Sequence, residues 1–300
     1  MCSSDLYHLN DVPKTSKSIR IQSETQLNSS DSDVPFPGYD KLSDEMTEKS
    51  PSIILTIKDS NGNHIRNVKQ NASNGSGKIA WNLRHKSYYP VRAGSVQSNW
   101  WFNPSGPYVT PGEYSAELYL ENNGSIEKLD GPVSFNVKPL REGTLKGASY
   151  DEYNNFRERV SSLYVELSAY EDEYSIMKNK IQLLEKASME LEVFSPETIK
   201  MVSDFSSKFE KFEREVDGNP AKAEIGEWYT NTLSMRIRLA MQGLSTSYGP
   251  TDLNSSNLEI SKKMFNTMKV QIEQMKSELE KLEKAVKDLN PPHIIGSGIN

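Results

Sequence analysis

The spacing of apolar residues changes near residue 140, and this change constrains the fold more than any other feature of the sequence. Before it, apolar side chains recur at every second position, as in Val133, Phe135 and Val137. That is the period of a strand with one buried face. After Pro139 they recur at alternating steps of three and four, which is typical of a long amphipathic helix. The sequence therefore predicts a multidomain chain of β + α class.

Residues 51–139 contain several short alternating segments, each bounded by turn-forming residues. An Asn61-Gly62 pair between two apolar runs predicts a tight hairpin, because both residues tolerate positive φ. The neighbouring Asp and Asn side chains could instead bind calcium, but a later acidic ligand is missing, which favours the turn. About six or seven strands in this length predict a small antiparallel immunoglobulin-like sandwich, with Trp81 in its core.

Residues 148–290 predict an antiparallel bundle of about four helices, with residues 291–300 as a tail. Ser149 and Glu152 form a capping-box pattern, and Ser195-Pro196 opens a second helix. A third helix is expected to end near Gln242 with Ile225, Trp228, Met235 and Leu239 inward. We expect the first and last helices to lie side by side; the alternative is an extended coiled coil with another chain. The seam of the first helix comprises Tyr153, Phe156, Val160, Leu163, Leu167, Tyr170, Tyr174, Met177, Ile181 and Leu184.

The first fifty residues predict little folded structure. Residues 1–13 contain one short alternating strand with no evident partner. Residues 14–50 are rich in Ser, Asp, Lys and Pro, so we expect an extended linker. Neither a secretory signal nor an apolar run of about 18 residues is visible in the sequence. The lone Cys2 excludes an internal disulfide and a Cys-rich zinc site.

The candidate site is an aromatic loop, residues 84–107, that carries Trp100, Trp101 and Phe102 together with Tyr88 and Tyr89. Long loops with aromatic rings are often functional. The rings could stack on a sugar face, dock another domain, or cover the end of their own sandwich. Clustered aromatic rings are usually buried, which favours packing over ligand binding.

The sequence shows no pattern of a known catalytic or cofactor site. It contains no G-x-S-x-G, H-E-x-x-H or P-loop motif, so no catalytic residue, cofactor or metal is assigned. The formal net charge of −6 argues against a nucleic-acid partner, which requires a concentrated basic face. Arg236 and Arg238 lie in an otherwise apolar helical segment; a structural role is favoured over anion binding.

Several segments resemble the C-terminal part of a family of large bacterial proteins, the BNR-repeat, sortilin-like β-propeller proteins often labelled glycosyl hydrolases. In that family the last propeller strand is similar to Leu6–Pro13, and a linker leads to a FlgD-like immunoglobulin-type sandwich. Its recurrent pieces resemble Asp59–Arg66, Ile79–Arg84 and Gly106–Tyr114, and its helical tail resembles residues 148–290. The resemblance implies that residues 1–13 are the remnant of a propeller strand and that the propeller itself is missing from this chain.

The resemblance implies a non-catalytic accessory region of an exported protein, periplasmic, envelope-bound or extracellular. Such a region would brace the propeller or present a surface to a partner. The alternative is a carbohydrate-binding module that uses Trp100, Trp101 and Phe102. An intact hydrolase is the third hypothesis and the least favoured, because the catalytic motifs are missing.

Overall fold

The computed structural model describes residues 3–91, 105–141, 146–227, 232–246 and 248–293. These residues divide into two compact units. The first holds the described residues up to Ser87 and those from 105 to 141; the second holds residues 88–91 and those from 146 onward. The described part of the chain combines two small antiparallel sheets with seven helices, so the fold is mixed α and β. Among the described residues, every helix is too short or too polar to span a lipid bilayer.

The described residues of the first unit form six strands in two sheets. A four-stranded antiparallel sheet has the order β3-β2-β5-β6, and a two-stranded sheet pairs β1 with β4. The strands are β1 (Ser3–Leu9), β2 (Ser52–Asp59), β3 (His64–Asn71), β4 (Gly75–Trp81), β5 (Gly112–Asn122) and β6 (Ser125–Val137).

Both sheets contribute side chains to one hydrophobic core. Ile53, Leu55 and Ile57 on β2 are buried at every second position, as the alternating pattern predicts. Trp81 is 1% exposed, and its ring centroid lies 5.5 Å from that of Tyr114. The expectation that Trp81 fills this core is confirmed, and aromatic rings of this size supply the largest burial per residue.

The partner of β1 was not expected from the sequence. β1 pairs with β4 along its whole length, from Ser3 opposite Trp81 to Leu9 opposite Gly75. The Tyr7 ring lies over Gly77, where an added Cβ would come within 2.2 Å of it. The Tyr7 hydroxyl accepts a hydrogen bond of 2.9 Å from the Gln70 side chain. A side chain at position 77 would therefore displace the Tyr7 ring from its place over β4.

The segment expected to be an extended linker contains two helices, α1 (Ser16–Ser29) and α2 (Tyr39–Thr47). The prediction of extended chain is wrong for these residues. Thr15 caps α1 through its side chain, which satisfies a backbone donor of the first turn. Arg20 of α1 then forms an ion pair with the buried Glu45 of α2. Polar ties such as these hold the α1–α2 hairpin, since α1 buries none of its own side chains.

The second unit contains α3 (Tyr150–Ser188), α4 (Pro196–Asp217), α5 (Pro220–Glu224), α6 (Leu233–Gln242) and α7 (Asp252–Lys287). The helices α3, α4, α6 and α7 share one hydrophobic core. Nine of the ten seam residues predicted for α3 are buried, and Tyr170 is partly buried against the core. The capping box at Ser149 and Glu152 is present, and Pro196 opens α4 after the Ser195 cap.

The third predicted helix is shorter than expected and presents different residues to the core. It begins only at Leu233, after the Thr232 cap, and buries Leu233, Ile237 and Ala240. A different set of positions on the helix therefore faces the core, and Met235 and Leu239 are only partly buried. Ile225 lies before the helix and is 75% exposed. The expectation for Ile225 is therefore wrong, and Trp228 lies outside the described residues.

The directions of the helices differ from an alternating bundle. Four ion pairs join α3 to α7, and both partners advance along the chain together: Arg159–Glu259, Glu166–Lys269, Glu173–Lys276 and Lys180–Glu283. The two long helices therefore lie side by side, as expected, but run in the same direction. Alternation of four helices would have made them antiparallel.

Contacts of the shorter helices explain the common direction of α3 and α7. On α7, Glu278 pairs with Lys208 of α4, and the earlier Gln271 donates to the later Glu215, so α4 runs opposite to α7. Asn257 and Asn254 of α7 contact Arg236 and the later Leu239 in the same reversed order. The break at Gly218 thus divides one return path into two helices of 22 and 10 residues.

Candidate interaction surfaces

The two ends of the aromatic loop are held together within the first unit. The backbone N–H of His85 donates to the Pro107 carbonyl at 3.0 Å, and that of Val109 donates to the Leu83 carbonyl at 2.9 Å. The Arg84 guanidinium lies 3.7 Å from the centre of the Tyr108 ring, a cation–π contact. Strand pairing thus fixes the base of the loop before its aromatic residues begin.

The first aromatic residues of the loop belong to the second unit. The Tyr88 and Tyr89 rings stack with centroids 4.9 Å apart. Both stand edge-on to Tyr164 of α3, at 5.4 Å and 5.2 Å. Aromatic pairs in such geometry contribute roughly 0.5–1.5 kcal/mol beyond their burial. One face of each loop tyrosine is covered by the other ring, so the arrangement favours packing for these two residues.

Trp100, Trp101 and Phe102, the residues on which the ligand hypothesis depends, lie outside the described residues. Sugar stacking and domain packing therefore both stay predictions for these three side chains. The structure brings together a different set, Tyr88, Tyr89 and Tyr164. Of this set, the sequence identified the loop tyrosines but not their partner on α3. Tyr164 is outside the heptad seam, so spacing alone offered no signal for it.

Paired charges cover the outer face of the four-stranded sheet. The Glu117 carboxylate accepts hydrogen bonds of 2.7 Å from both Lys58 and Lys128 and one of 3.1 Å from the Tyr119 hydroxyl. These bonds, that of Lys128 foremost and then that of Lys58, lower the pKa of Glu117 to about 2. A carboxylate held in this way stays ionised near neutrality, so it is poorly suited to serve as a general acid.

A second group of titratable residues lies where α4 ends. The Tyr174 hydroxyl donates to the Asp217 carboxylate at 3.4 Å, and its ring stacks on Phe209 at 5.2 Å. Burial raises the pKa of Tyr174, and it also raises the pKa of Asp217, with the neighbouring Glu213 adding to that rise. Burial likewise disfavours ionised Glu213, but Lys178 and Tyr174 outweigh it and lower the Glu213 pKa.

Opposite pKa shifts in neighbouring carboxyls occur at acid–base sites, and also in structural ion-pair networks. Here Lys178 forms an ion pair with Glu213, and both carboxyls lie one turn apart on the same helix. The cluster therefore joins α3 to the last turn of α4, and a structural role accounts for its contacts.

The other residues singled out by sequence have structural partners. Arg236 donates to the side chain of the buried Asn257 at 2.9 Å, whereas Arg238 is exposed. Asp59 accepts hydrogen bonds from the backbone N–H groups of Asn61 and Asn63, which confirms the turn between β2 and β3. Within the described ranges, no group of three or more His, Cys, Asp or Glu residues is placed to hold a metal ion.

Comparisons with known proteins add no family assignment. No family model, no curated protein and no solved structure matches the chain.

Proposed function

We propose that this chain is a non-catalytic accessory region of a larger exported protein, in which it braces a β-propeller or presents a surface to a partner. The first unit would be the immunoglobulin-like, FlgD-like sandwich of the resembled family, and the helices would form its tail. The observation that carries the proposal is the packing of Tyr88 and Tyr89 on Tyr164. It supports an aromatic loop used for packing, in preference to ligand capture.

The long helices fit a bracing role. A helix of 39 residues such as α3 extends about 58 Å at 1.5 Å per residue. Its apolar seam is buried along most of that length, and ion pairs to α7 recur every seven residues from Glu166 to Lys180. Such a pair of helices is stiff and can hold two attached elements at a fixed separation.

The first strand supports contact with a neighbouring domain. β1 pairs with β4 on one side, and no other strand of the described residues pairs with it. An unpaired strand edge is a template for another strand. Leu6 on this strand is 84% exposed. The segment that resembles the last propeller strand is therefore available for further pairing.

Titration of the whole chain against a separately expressed β-propeller of the resembled family, followed by sedimentation velocity, tests this proposal. We expect association at micromolar concentrations. Leu6→Asp should weaken it roughly tenfold, the equivalent of about 1.4 kcal/mol. The control variant is Ile126→Asp, which introduces the same charge on β6, where Ile126 is 63% exposed. It should leave association unchanged.

A glycan array with the same chain distinguishes the carbohydrate-binding alternative. Binding to a glycan that Trp100→Ala and Trp101→Ala abolish, together with no association with the propeller, would replace the bracing proposal with a carbohydrate-binding module. Release of sugar from a chromogenic glycoside by the chain alone would show catalysis and refute the proposal.

A further inference from the structure

Asp130 and Gly131 on β6 place a backbone nitrogen against the carboxyl group of the residue before it. The backbone N–H of Gly131 donates to the Asp130 Oδ1, and the nitrogen lies 2.7 Å from that oxygen. The carboxyl carbon is bonded to the same oxygen, so this contact also brings the nitrogen close to the carbon with which it can form a five-membered ring. Close approach of the reacting atoms before reaction is what makes an intramolecular ring closure fast.

The neighbouring strand holds Gly131 in this position. Its φ angle is 97°, which glycine adopts readily and other residues rarely do. A Cβ at this position would lie 2.5 Å from the carbonyl oxygen of Ala116 on β5. The backbone of Gly131 is therefore packed closely against β5, and only glycine fits.

The pairing of β5 with β6 is irregular at the same place. Asp130 pairs with Leu118, and the next pair along is Val133 with Ala116. Two residues of β6 thus lie opposite one residue of β5, as in a β-bulge, which leaves a residue outside the ladder of strand hydrogen bonds. The N–H of Gly131 is turned toward the carboxylate of its own neighbour.

The Asp130 carboxylate is open to solvent and weakly held. Asp130 is exposed, and Lys128, two residues earlier, forms an ion pair with Glu117. Among the residues that the structure describes, the Gly131 N–H is the one hydrogen-bond donor to this carboxylate. Water can therefore reach the group, and no competing contact draws it away from the nitrogen.

We propose that Asp130 and Gly131 form a site of spontaneous backbone rearrangement, at which the aspartate converts to isoaspartate through a succinimide. The Gly131 nitrogen forms a bond to the carboxyl carbon of Asp130, and the carboxyl hydroxyl leaves as water with the amide proton. Water then adds to one of the two ring carbonyls and breaks the bond from that carbon to the nitrogen. Opening at the backbone carbonyl leaves the chain joined through the side-chain carboxyl. The mass is unchanged, and water is the only co-reactant.

The sequence contains one other Asp-Gly pair, Asp217-Gly218, which provides an internal comparison. The Asp217 carboxylate accepts its hydrogen bond from the Tyr174 hydroxyl of α3, at 3.4 Å. Its carboxyl group is thus directed to another helix, so rearrangement should be slower there than at Asp130.

Incubation of the chain in H₂¹⁸O tests the proposal, because hydrolysis of the succinimide inserts a heavy oxygen atom. The chain is kept at about pH 5, where more carboxyl groups are protonated than at neutral pH, and peptide mass mapping locates the label. In the folded chain, we expect labelling at least about tenfold faster at Asp130 than at Asp217. In urea the two sites should be labelled at similar rates, and Asp130 more slowly than in the folded chain.

Two variants separate ring closure from exposure. Asp130→Glu keeps the charge but would have to close a larger ring, so it should abolish labelling at this position. Asp130→Asn keeps the placement of the group and should lose ammonia faster than Asn61 does, because the N–H of Gly62 donates to the Asp59 carbonyl at 3.0 Å. Since Asp130 is exposed, the circular dichroism spectra of both variants should match the parent.

Three outcomes would overturn the assignment. These are slower labelling of Asp130 in the folded chain than in urea, equal labelling of Asp130 and Asp217 in the folded chain, or labelling of Asp130→Glu at the rate of the parent. The first would mean that the fold protects this carboxyl group from its neighbouring nitrogen.

Discussion

The α1–α2 hairpin and the α3–α7 pair are both helical and both joined by ion pairs, yet they differ in what they bury. Arg20 of α1 contacts Glu24 and Glu45, but α1 has no buried residue. Along α3 and α7, ion pairs flank a seam of buried aliphatic and aromatic side chains. Exposed ion pairs contribute little, and a buried pair such as Arg20–Glu45 must first offset the cost of removing its charges from water. Each large buried apolar side chain, by contrast, contributes roughly 1.5–3 kcal/mol. We therefore expect α3 and α7, which bury apolar side chains, to be more stable than the α1–α2 hairpin.

The largest effect should come from removing a central ring of the long helices. Phe265 is 1% exposed and stands edge-on to Tyr170 at 5.3 Å. Phe265→Ala should lower the free energy of unfolding of the helical unit by about 3–5 kcal/mol, through lost burial and the cavity left behind. Thermal and urea unfolding would measure this.

Ile19→Ala in the hairpin is the matched change for that comparison. Because Ile19 is half-exposed, the loss should be about 0.5 kcal/mol or less. If Ile19→Ala and Phe265→Ala lowered the free energy of unfolding equally, Ile19 would have to be buried in solution. The contrast between the hairpin and the long helices would then be wrong.

The next effect concerns the carboxylate that holds the hairpin. The Glu45 side chain is 3% exposed, and its two oxygens share a bifurcated hydrogen bond of 2.9 Å from the Arg20 Nε, while the Arg20 Nη2 lies 2.9 Å from one of them. Glu45→Gln removes the charge that Arg20 requires, so α1 and α2 should separate and fray. Hydrogen exchange followed by mass spectrometry should show faster exchange in residues 16–47 and unchanged exchange in α3 and α7.

Glu24→Gln provides the control for the hairpin. Glu24 contacts Arg20 through one oxygen at 2.7 Å and is 27% exposed, so exchange should rise much less than in Glu45→Gln. If neither variant changes exchange, the contact of Glu48 with Ser16 is sufficient to hold the hairpin.

Protonation of Glu45 in the hairpin and protonation of Asp217 in the helical unit should change stability in opposite directions. The hydrogen bond from Arg20 holds the pKa of Glu45 below its usual 4.5. This stabilisation is complete above pH 4.5 and is lost as the pH falls through the lowered pKa. Burial raises the pKa of Asp217 above 3.8, so the folded state disfavours its charge. The helical unit should therefore gain from protonation of Asp217 as the pH falls through that raised pKa toward 3.8.

Carboxyl ¹³C shifts recorded across an acid titration would measure both pKa values. Glu45→Gln should remove the acid sensitivity of hydrogen exchange in the hairpin, and Asp217→Asn should remove the acid-induced gain at the end of α4. An Asp217 that titrates below 3.8 would contradict the second assignment.

Local patterns predicted more of the molecule than long-range pairings did. The seam of α3, the capping box at Ser149 and the Asp59 turn each depend on residues within a few positions of one another, and each is present. The pairing of β1 with β4 joins residues that are between 66 positions (Leu9 and Gly75) and 78 positions (Ser3 and Trp81) apart. Its one local clue is Gly77, which leaves room for the Tyr7 ring.

The α1–α2 hairpin was missed for a different reason. Residues 14–50 contain few large apolar residues, and such a composition argues against folded structure. The cap at Thr15 is local, since it joins residues three positions apart. The ion pair that joins the two helices, Arg20–Glu45, links residues 25 positions apart. The candidate aromatic residues were found by composition, but a partner such as Tyr164 depends on three-dimensional packing.

The smallest predicted effect tests the common direction of α3 and α7. The Glu166 side chain is half-exposed, and that of its partner Lys269 is about one-quarter exposed. Each single reversal, Glu166→Lys or Lys269→Glu, should therefore lower the free energy of unfolding by about 0.2–1 kcal/mol. The double reversal restores an opposite-charge pair and should recover most of that loss, giving a coupling energy of similar size in a double-mutant cycle.

Glu166→Lys combined with Lys276→Glu is the matched control, because Lys276 pairs with Glu173 one heptad further along. Its two changes should add without coupling. Coupling in the control but not in the test pair would mean that the register of the two helices is displaced by one heptad. Coupling in neither would remove the ion-pair evidence that they run in the same direction.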